Sequence, residues 1–320
     1  MTGNVHILGI VNLTPDSFYA GSRVRPGEAV ARIRQMLEEG ADAVDLGACS
    51  TRPGSRQPSL EEEWDRLEPV LNRLSALGGN VCPGACPPPD EYRGRGPQPV
   101  PARARRDGRG RRSEATESPG QTLPPKALPL SIDTYRSEIV RRAYEVMGPF
   151  IVNDISGGQM DPQMLETAGR LGLPYIAMHM RGTPETMQGL TDYEDVVASV
   201  IDYFNEFAKK AEDAGIRQWI PDPGFGFSKT LDQNYELLHR LGEVVQAFPD
   251  REVLVGVSRK SMVYKALGIT PEEAMPATQI IQFQALEKGA RWLRVHDVKE
   301  AVTTARLYST MYTSSPGAAK

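Results

Sequence analysis

One repeated unit governs what this chain can become. Short apolar, β-branched runs recur at residues 5–11, 43–47, 128–132, 150–152, 174–178, 219–221, 253–257 and 291–295, each followed by a polar cluster and then by helical periodicity. Apolar strands alternating with helices point to a parallel sheet covered on both faces, because each crossover lays its helix back over the sheet. Eight such units are the number that closes the sheet into a TIM (β/α)8 barrel. An open doubly wound sheet is the alternative. Predicted helices at 26–39, 61–77, 137–146 and 192–214 run into Gly40, Gly78, Gly148 and Gly215, which read as C-caps.

One stretch departs from this rhythm. Residues 79–126 are crowded with Pro, Gly and Arg and show neither period 2 nor period 3.6, so disorder is expected there. The chain then reads as one barrel built from 1–78 and 127–313, with a disordered insertion at 79–126 and a disordered tail at 314–320. The insertion follows a helix and precedes a strand, which puts it on the face opposite the one where barrels carry chemistry. It holds nine basic and five acidic residues, leaving the rest of the chain with 28 basic and 36 acidic, a net −8. Cys82 and Cys86 have metal-like spacing but lack a nearby His and a full set of four ligands, so no zinc site is expected. Arg103 to Arg112 reads as a solvated charge run, with an acidic partner as the alternative.

Charge narrows the function. Lys and Arg number 37 against 41 Asp and Glu, a net −4 that is too small and of the wrong sign for holding nucleic acid by phosphate neutralisation. Small-molecule partners are expected instead. Three cysteines in 320 residues argue against a disulfide framework. The opening residues lack a basic segment followed by a long apolar one, and no run approaches the ~18 apolar residues of a membrane span, so a cytoplasmic protein is expected.

In a barrel the ligand site gathers at the C-terminal ends of the strands, and unusual polar residues follow every predicted strand here. They are Asn12, Thr14 and Asp16; Ser50, Thr51, Arg52 and Pro53; Asp133; Asn153 and Asp154; His179 and Arg181; Asp222; Ser258, Arg259, Lys260 and Ser261; Arg294 and His296. Helix capping explains some of these, and Asp133 or Ser258 alone is as readily a cap as a ligand. Asp297 with Glu300 forms a capping pattern and is assigned to structure. His179 is read as a hydrogen-bonded core residue, and Cys49 as a small buried hydrophobe. Caps do not explain Arg52, Lys260, Arg294 and His296, because cations are disfavoured at helix N-termini. Four cations on one rim ask for an anion. Arg294 and His296, two apart on a strand, share a face and with the Thr51–Arg52 turn suit a diphosphate. Asp133, Asn153 and Asp222 offer carboxylate and amide partners to an amino-pyrimidine edge, with Lys260 as the matching donor. The expected site is anionic at one end and cationic at the other.

Eight segments together are specific: Gly9-Ile-Val-Asn-Leu-Thr-Pro-Asp-Ser-Phe18, Ser50-Thr-Arg-Pro-Gly54, Ser131-Ile-Asp-Thr134, Val152-Asn-Asp-Ile-Ser-Gly-Gly158, Met178-His-Met-Arg-Gly182, Asp222-Pro-Gly-Phe-Gly-Phe-Ser-Lys229, Val255-Gly-Val-Ser-Arg-Lys-Ser261 and Arg294-Val-His-Asp-Val298. With these, in this order, the chain resembles the dihydropteroate synthases of the folate pathway, pterin-binding barrels. The resemblance implies condensation of 6-hydroxymethyl-7,8-dihydropterin diphosphate with 4-aminobenzoate, with Mg²⁺ assisting departure of diphosphate. It also implies that Asp133, Asn153, Ile155, Met178, Asp222, Lys260 and Arg294 bind the pterin. Asn12, Thr51, Arg52, Arg294 and His296 would hold the diphosphate, with Asn12 on the magnesium, and Thr51, Pro53, Phe227, Lys260 and Ser261 the 4-aminobenzoate. Catalysis would fall to Asp222, Lys260, Arg52, Arg294 and His296, sulfonamides would compete, and a homodimer would form through helices on the barrel flank.

Departures and rivals bear on this reading. Ala48-Cys49 stands where the family commonly has Gly-Glu, and Tyr19-Ala20-Gly21-Ser22 where it has Ser-Asp-Gly-Gly. A folate-dependent methyltransferase domain would share the Asp-Asn-Asp pocket but have no use for Ser-Thr-Arg-Pro-Gly, Arg294 or His296. A catalytically silent pterin-binding barrel fits poorly with Asn12, Arg52, Lys260 and His296 present together. A Schiff-base aldolase using Lys260 would need that lysine inside an apolar strand.

Overall fold

The computed structural model describes residues 4–14, 26–49, 56–76 and 130–313. The insertion at 79–126 with Cys82 and Cys86, the tail at 314–320, Gly78, and the expected ligands Thr51, Arg52 and Pro53 lie outside the described residues. The strands are β1 (His6–Asn12), β2 (Ala43–Gly47), β3 (Leu130–Asp133), β4 (Ile151–Asp154), β5 (Tyr175–Met178), β6 (Trp219–Asp222), β7 (Leu254–Val255) and β8 (Trp292–Val295), all parallel to their partners. Their spatial order, β6-β5-β4-β3-β2-β1-β8-β7, is sequence order wrapped round on itself. That excludes the open doubly wound sheet, in which the order reverses at a switch point. The barrel is nearly closed; among the described residues the seam between β6 and the two-residue β7 carries no ladder.

Helices cover the outside: α1 (Pro26–Glu38), α2 (Leu60–Ala76), α3 (Ser137–Met147), α4 (Met164–Arg170), α5 (Val196–Asp213), α6 (Leu231–His239), α7 (Leu241–Ala247), α8 (Ser261–Leu267), α9 (Met275–Glu287) and α10 (Val298–Thr313). Gly40, Gly148 and Gly215 follow helices at positive φ, as the punctuation required. Helix α5 starts later than the periodicity suggested, because the Asp195 side chain accepts from the backbone N–H groups of Val197 and Ala198.

Strand alternation sorts the side chains into two populations. Outward-facing Val11, Val44, Leu46, Ile132, Val152, Tyr175, Trp219, Val255 and Leu293 pack against the helices in one continuous core. Inward-facing Leu8, Ala43, Ile151, Ile176 and Leu254, with Ile220 and Trp292, form a separate apolar floor inside the barrel. Two residues further along the same inward face, the floor gives way to Asp45, Asn153, Asp222, Gly256 and Arg294, while Ile10 and Met178 keep β1 and β5 apolar there. The pleat therefore stacks a largely polar layer directly on an apolar one. Ile176 is fully buried in that floor, so Ile176→Ala is expected to destabilise the barrel by about 2–5 kcal/mol, read as a lower midpoint of urea unfolding.

Candidate active site

Arg294 reaches across the barrel interior from β8. Its Nε donates to Asp45 Oδ2 on β2 at 2.7 Å and its Nη2 to Asp133 Oδ2 at the end of β3 at 2.8 Å, with Nη2 also in ion-pair contact with Asp45 Oδ2 at 2.6 Å. Asn153 Nδ2 donates to the same Asp45 oxygen at 2.9 Å. On the opposite wall Asp222 Oδ1 accepts the Gly224 N–H at 2.9 Å. Gly256 marks where these groups converge: a Cβ there would lie 3.7 Å from Lys260 Nζ, 3.8 Å from Arg294 Cβ and 3.9 Å from Asp222 Oδ2. Gly47 does the same at the other side, where a Cβ would lie 3.1 Å from Asn12 Oδ1 and 3.7 Å from Asp133 Oδ2. Beside this polar cluster, Cys49, Tyr135, Ile155, Met178, Met180, Met187 and Phe227 form a second apolar cluster. Lys260 joins the two: its Nζ donates to Phe225 O at 2.7 Å and stands 4.6 Å from the centre of the Phe227 ring. Ser261 follows as the first residue of α8.

Burial sets the electrostatics. It pushes the carboxyl groups of Asp133 and Asp222 up, against the pull of Arg294 on the first and of Lys260 and the Gly224 N–H on the second. It brings the Lys260 ammonium down to about 8, although Asp222 holds it up. Arg294 stays a cation because Asp45 and Asp133 outweigh its own burial.

Two expectations are corrected here. His296 is not a fourth cation: burial, then Arg294, Arg259 and Lys260, push its imidazole down to about 3. It is a neutral ring, with Nδ1 3.1 Å from Ser258 Oγ, which also accepts the His296 backbone N–H at 3.2 Å. Arg294, expected at the cationic end, is paired with Asp45 and Asp133 inside the heterocycle cradle. Asp297 has a structural role through a different contact, a two-pronged bridge to Arg259 Nε and Nη2 at 2.9 and 2.8 Å. That bridge helps hold Arg259 at a left-handed φ of 52°, which turns the chain between Ser258 and Lys260.

The structure brings together Asn12, Asp133, Asn153, Ile155, Met178, Asp222, Phe227, Lys260, Ser261, Arg294 and His296 at the C-terminal ends of the strands. Sequence reasoning missed Asp45 and Lys229. Asp45 had a legible signal, a charge in the middle of the apolar strand Ala43-Val-Asp-Leu-Gly47. Lys229 stood at the end of the Asp222 segment without a task. It is buried, with Nζ 3.0 Å from His179 Nδ1 and donating to Gly224 O and Phe227 O at 3.0 and 3.1 Å. Burial lowers its ammonium to about 7 and the His179 imidazole well below its usual value. His179 is thus a core residue that helps Lys229 pin the loop bearing Asp222 and Phe227. Burial pushes the Cys49 thiol up to about 12, and its Sγ lies 2.9 Å from Gln57 Oε1.

A family profile described as pterin binding enzyme matches residues 8–82 and 121–296. The chain belongs to this family. The dihydropteroate synthase of Escherichia coli (strain K12) is 35% identical over 305 residues, covering 94% of this chain and 90% of its own length. Among solved structures, a Yersinia pestis dihydropteroate synthase with a sulfonamide drug complex superposes with a TM-score of 0.76 at 29% identity, covering 98% of this chain and 96% of that one. The Thermus thermophilus dihydropteroate synthase in complex with 4-aminobenzoate superposes with a TM-score of 0.72 at 31% identity, covering 98% and 96%.

In this pterin-binding enzyme the loop after β6 depends on one glycine. Gly224 has φ 71°, and a Cβ on it would lie 2.0 Å from His179 O, a backbone atom that cannot step aside. Gly224→Ala is therefore expected to cost at least about 1–3 kcal/mol, a drop of several degrees in Tm by differential scanning calorimetry. A parental melting curve contradicts it.

Proposed function

We propose that this chain is a dihydropteroate synthase that joins 6-hydroxymethyl-7,8-dihydropterin diphosphate to 4-aminobenzoate, giving 7,8-dihydropteroate and diphosphate. The observation that carries this reading is the meeting of buried acceptors on Asp133, Asn153 and Asp222 with the donors of Lys260 and Arg294, beside the apolar cluster of Ile155, Met178 and Phe227. Such a pocket suits a flat heterocycle with amino and N–H groups on one edge and a carbonyl or ring nitrogen for Lys260. Ile155 and Met178 flank its faces. Phe227, Lys260 and Ser261, with Thr51 and Pro53, receive the 4-aminobenzoate, where sulfonamides compete.

The diphosphate sits with Asn12, Thr51, Arg52, Arg294 and His296. Without ligand the His296 ring is neutral and has an N–H to offer the diphosphate, and Arg294 contributes what its two carboxylate partners leave. Magnesium fits this arrangement. Among the described residues no group of three or more His, Cys, Asp or Glu is placed to hold a metal, but an ion borne by diphosphate oxygens and water asks for only one or two protein oxygens. Asn12 Oδ1 would hold it, and the bound ion would neutralise charge on the departing diphosphate.

Chemistry follows from positioning. The bond from the pterin methylene carbon to the diphosphate oxygen breaks first, leaving a resonance-stabilised dihydropterin cation. The amine of 4-aminobenzoate attacks that carbon, the new C–N bond forms, and the amine's proton passes to solvent or the released diphosphate. A neutral arylamine is nucleophilic without a strong base, so the protein's part is to align the two rings and to meet the changing charge. The Asp222 carboxylate offsets the cation, and the Lys260 ammonium fixes the ring against it.

Exposed Ile280 on α9 and Leu307 and Met311 on α10 support a homodimer through that flank. No described helix is long and apolar enough to cross a membrane, and the setting we infer is the cytoplasm. Supplying the two substrates with Mg²⁺ is expected to yield dihydropteroate, and chelation with EDTA to stop it. Asp222→Ala and Lys260→Ala are each expected to lower kcat/KM at least about 100-fold, the scale of one preorganised electrostatic contact. The free enzyme needs Lys260 protonated, and its ammonium titrates at about 8. The pH profile of kcat/KM is therefore expected to fall as pH rises through about 8, with that limb displaced upward in Lys260→Arg.

A further inference from the structure

We propose that Asp45 is a positioning residue that sets the hydrogen-bond polarity of the pterin cradle by fixing Asn153 and Arg294. The inference rests on the functional reading above and adds to it a residue that touches no substrate. Asp45 lies fully buried in the middle of β2, and one oxygen, Oδ2, accepts from Arg294 Nε and Asn153 Nδ2 at 2.7 and 2.9 Å and is in ion-pair contact with Arg294 Nη2 at 2.6 Å. A carboxylate oxygen only accepts, so the amide group facing it must be the nitrogen. A flipped Asn153 would set two acceptors against each other at that distance. With its donor engaged, Asn153 has its oxygen to offer a ligand.

The same bookkeeping applies to the neighbouring carboxylates. Asp133 Oδ2 is taken by Arg294, leaving Oδ1, and Asp222 Oδ1 is taken by the Gly224 N–H, leaving Oδ2. The oxygens turned toward the heterocycle, Asp133 Oδ1, Asn153 Oδ1 and Asp222 Oδ2, are then all acceptors, whereas an unrestrained asparagine presents either sign. An aminopyrimidinone edge, with an amino group beside a ring N–H, is complementary to that set. Asp45 also fixes how far Arg294 reaches, which keeps Asp133 Oδ2 occupied. The arrangement is not one that stability alone would select. Among the described residues neither Asp45 Oδ1 nor Ser131 Oγ on its register neighbour, both buried, has a hydrogen-bond partner, and a buried carboxylate oxygen that the protein leaves unpaired costs folding free energy.

Steady-state kinetics of the full chain test this with Asp45→Asn, Asn153→Ser and the double variant. Asp45→Asn is expected to raise the KM for dihydropterin diphosphate at least about tenfold, with the KM for 4-aminobenzoate held within about twofold. The double variant is expected to fall well short of the product of the two single effects, because the two residues act through one contact. An unchanged pterin KM, equal rises for both substrates, or fully multiplicative effects overturn the role of Asp45. If Asp45→Asn does not fold, competition on the unaltered protein decides. A pterin analogue with hydrogen in place of the 2-amino group is expected to inhibit at least about tenfold more weakly than the amino compound, and equal inhibition overturns the proposal. An unaltered protein that makes no dihydropteroate defeats the functional reading instead, whereas one that makes it while Asp45→Asn behaves as parent defeats only this inference.

Discussion

A buried guanidinium shared between two carboxylates organises this molecule's chemistry. Arg294 spans the barrel interior to Asp45 and Asp133, tying β8 through side chains to β2 and β3, strands with which it shares no backbone ladder because β1 lies between. Removing such charges from water is expensive, and their mutual attraction offsets that only when geometry is tight. The barrel supplies the geometry by holding the three strands in fixed register. Asp133 keeps much of its ionised character because Arg294 is there, Asn153 is oriented because Asp45 is there, and Asp222 and Lys260 complete the ring from the far wall.

Why the site sits at this height follows from the pleat. Each strand places side chains inward at every second residue, and the first inward layer is apolar from Leu8 to Trp292. That floor seals the barrel, so the layer above it meets water from one side only. Buried polar groups there have raised or lowered proton affinities according to their charge, which is what lets a lysine with an ammonium near 8 stand beside a carboxyl pushed upward. Further out, two side-chain devices hold the loops: Lys229 on the backbone carbonyls of Gly224 and Phe227, and Arg259 on Asp297 with the carbonyls of Pro271 and Glu272. Both place a cation on backbone acceptors that would otherwise be left dry.

Much of the site was legible because a barrel is a nearly one-dimensional code. Once β-branched runs alternate with helices eight times, polar residues just past each run must meet at one end. Asn12, Asp133, Asn153, Asp222, Lys260 and Arg294 were found on that rule. It failed where the answer lay in partners from other strands. His296 looked like a cation beside Arg294 and Lys260, but burial with those same cations keeps it neutral. Asp297 looked like a helix cap because Glu300 follows at the capping spacing, but Arg259, distant in sequence, takes its carboxylate. Asp45 was passed over because it precedes the strand end, where the rule directs attention.

Periodicity, punctuation and the order of polar clusters, read along the chain alone, determined the eight-unit barrel, the end of it that carries chemistry and the residue types gathered there. These are local properties, set by the pleat, by helix-terminating glycines and by the length of each unit. Tertiary structure alone decided the charge states and the pairings: that Arg294 belongs to the acceptor cluster, that Asn153 has its oxygen to offer, and that Lys229 bonds the carbonyls of Gly224 and Phe227 in the loop after β6. Proton affinity and hydrogen-bond direction depend on desolvation and on neighbours brought from far along the chain, and neither exists until the barrel has closed around them.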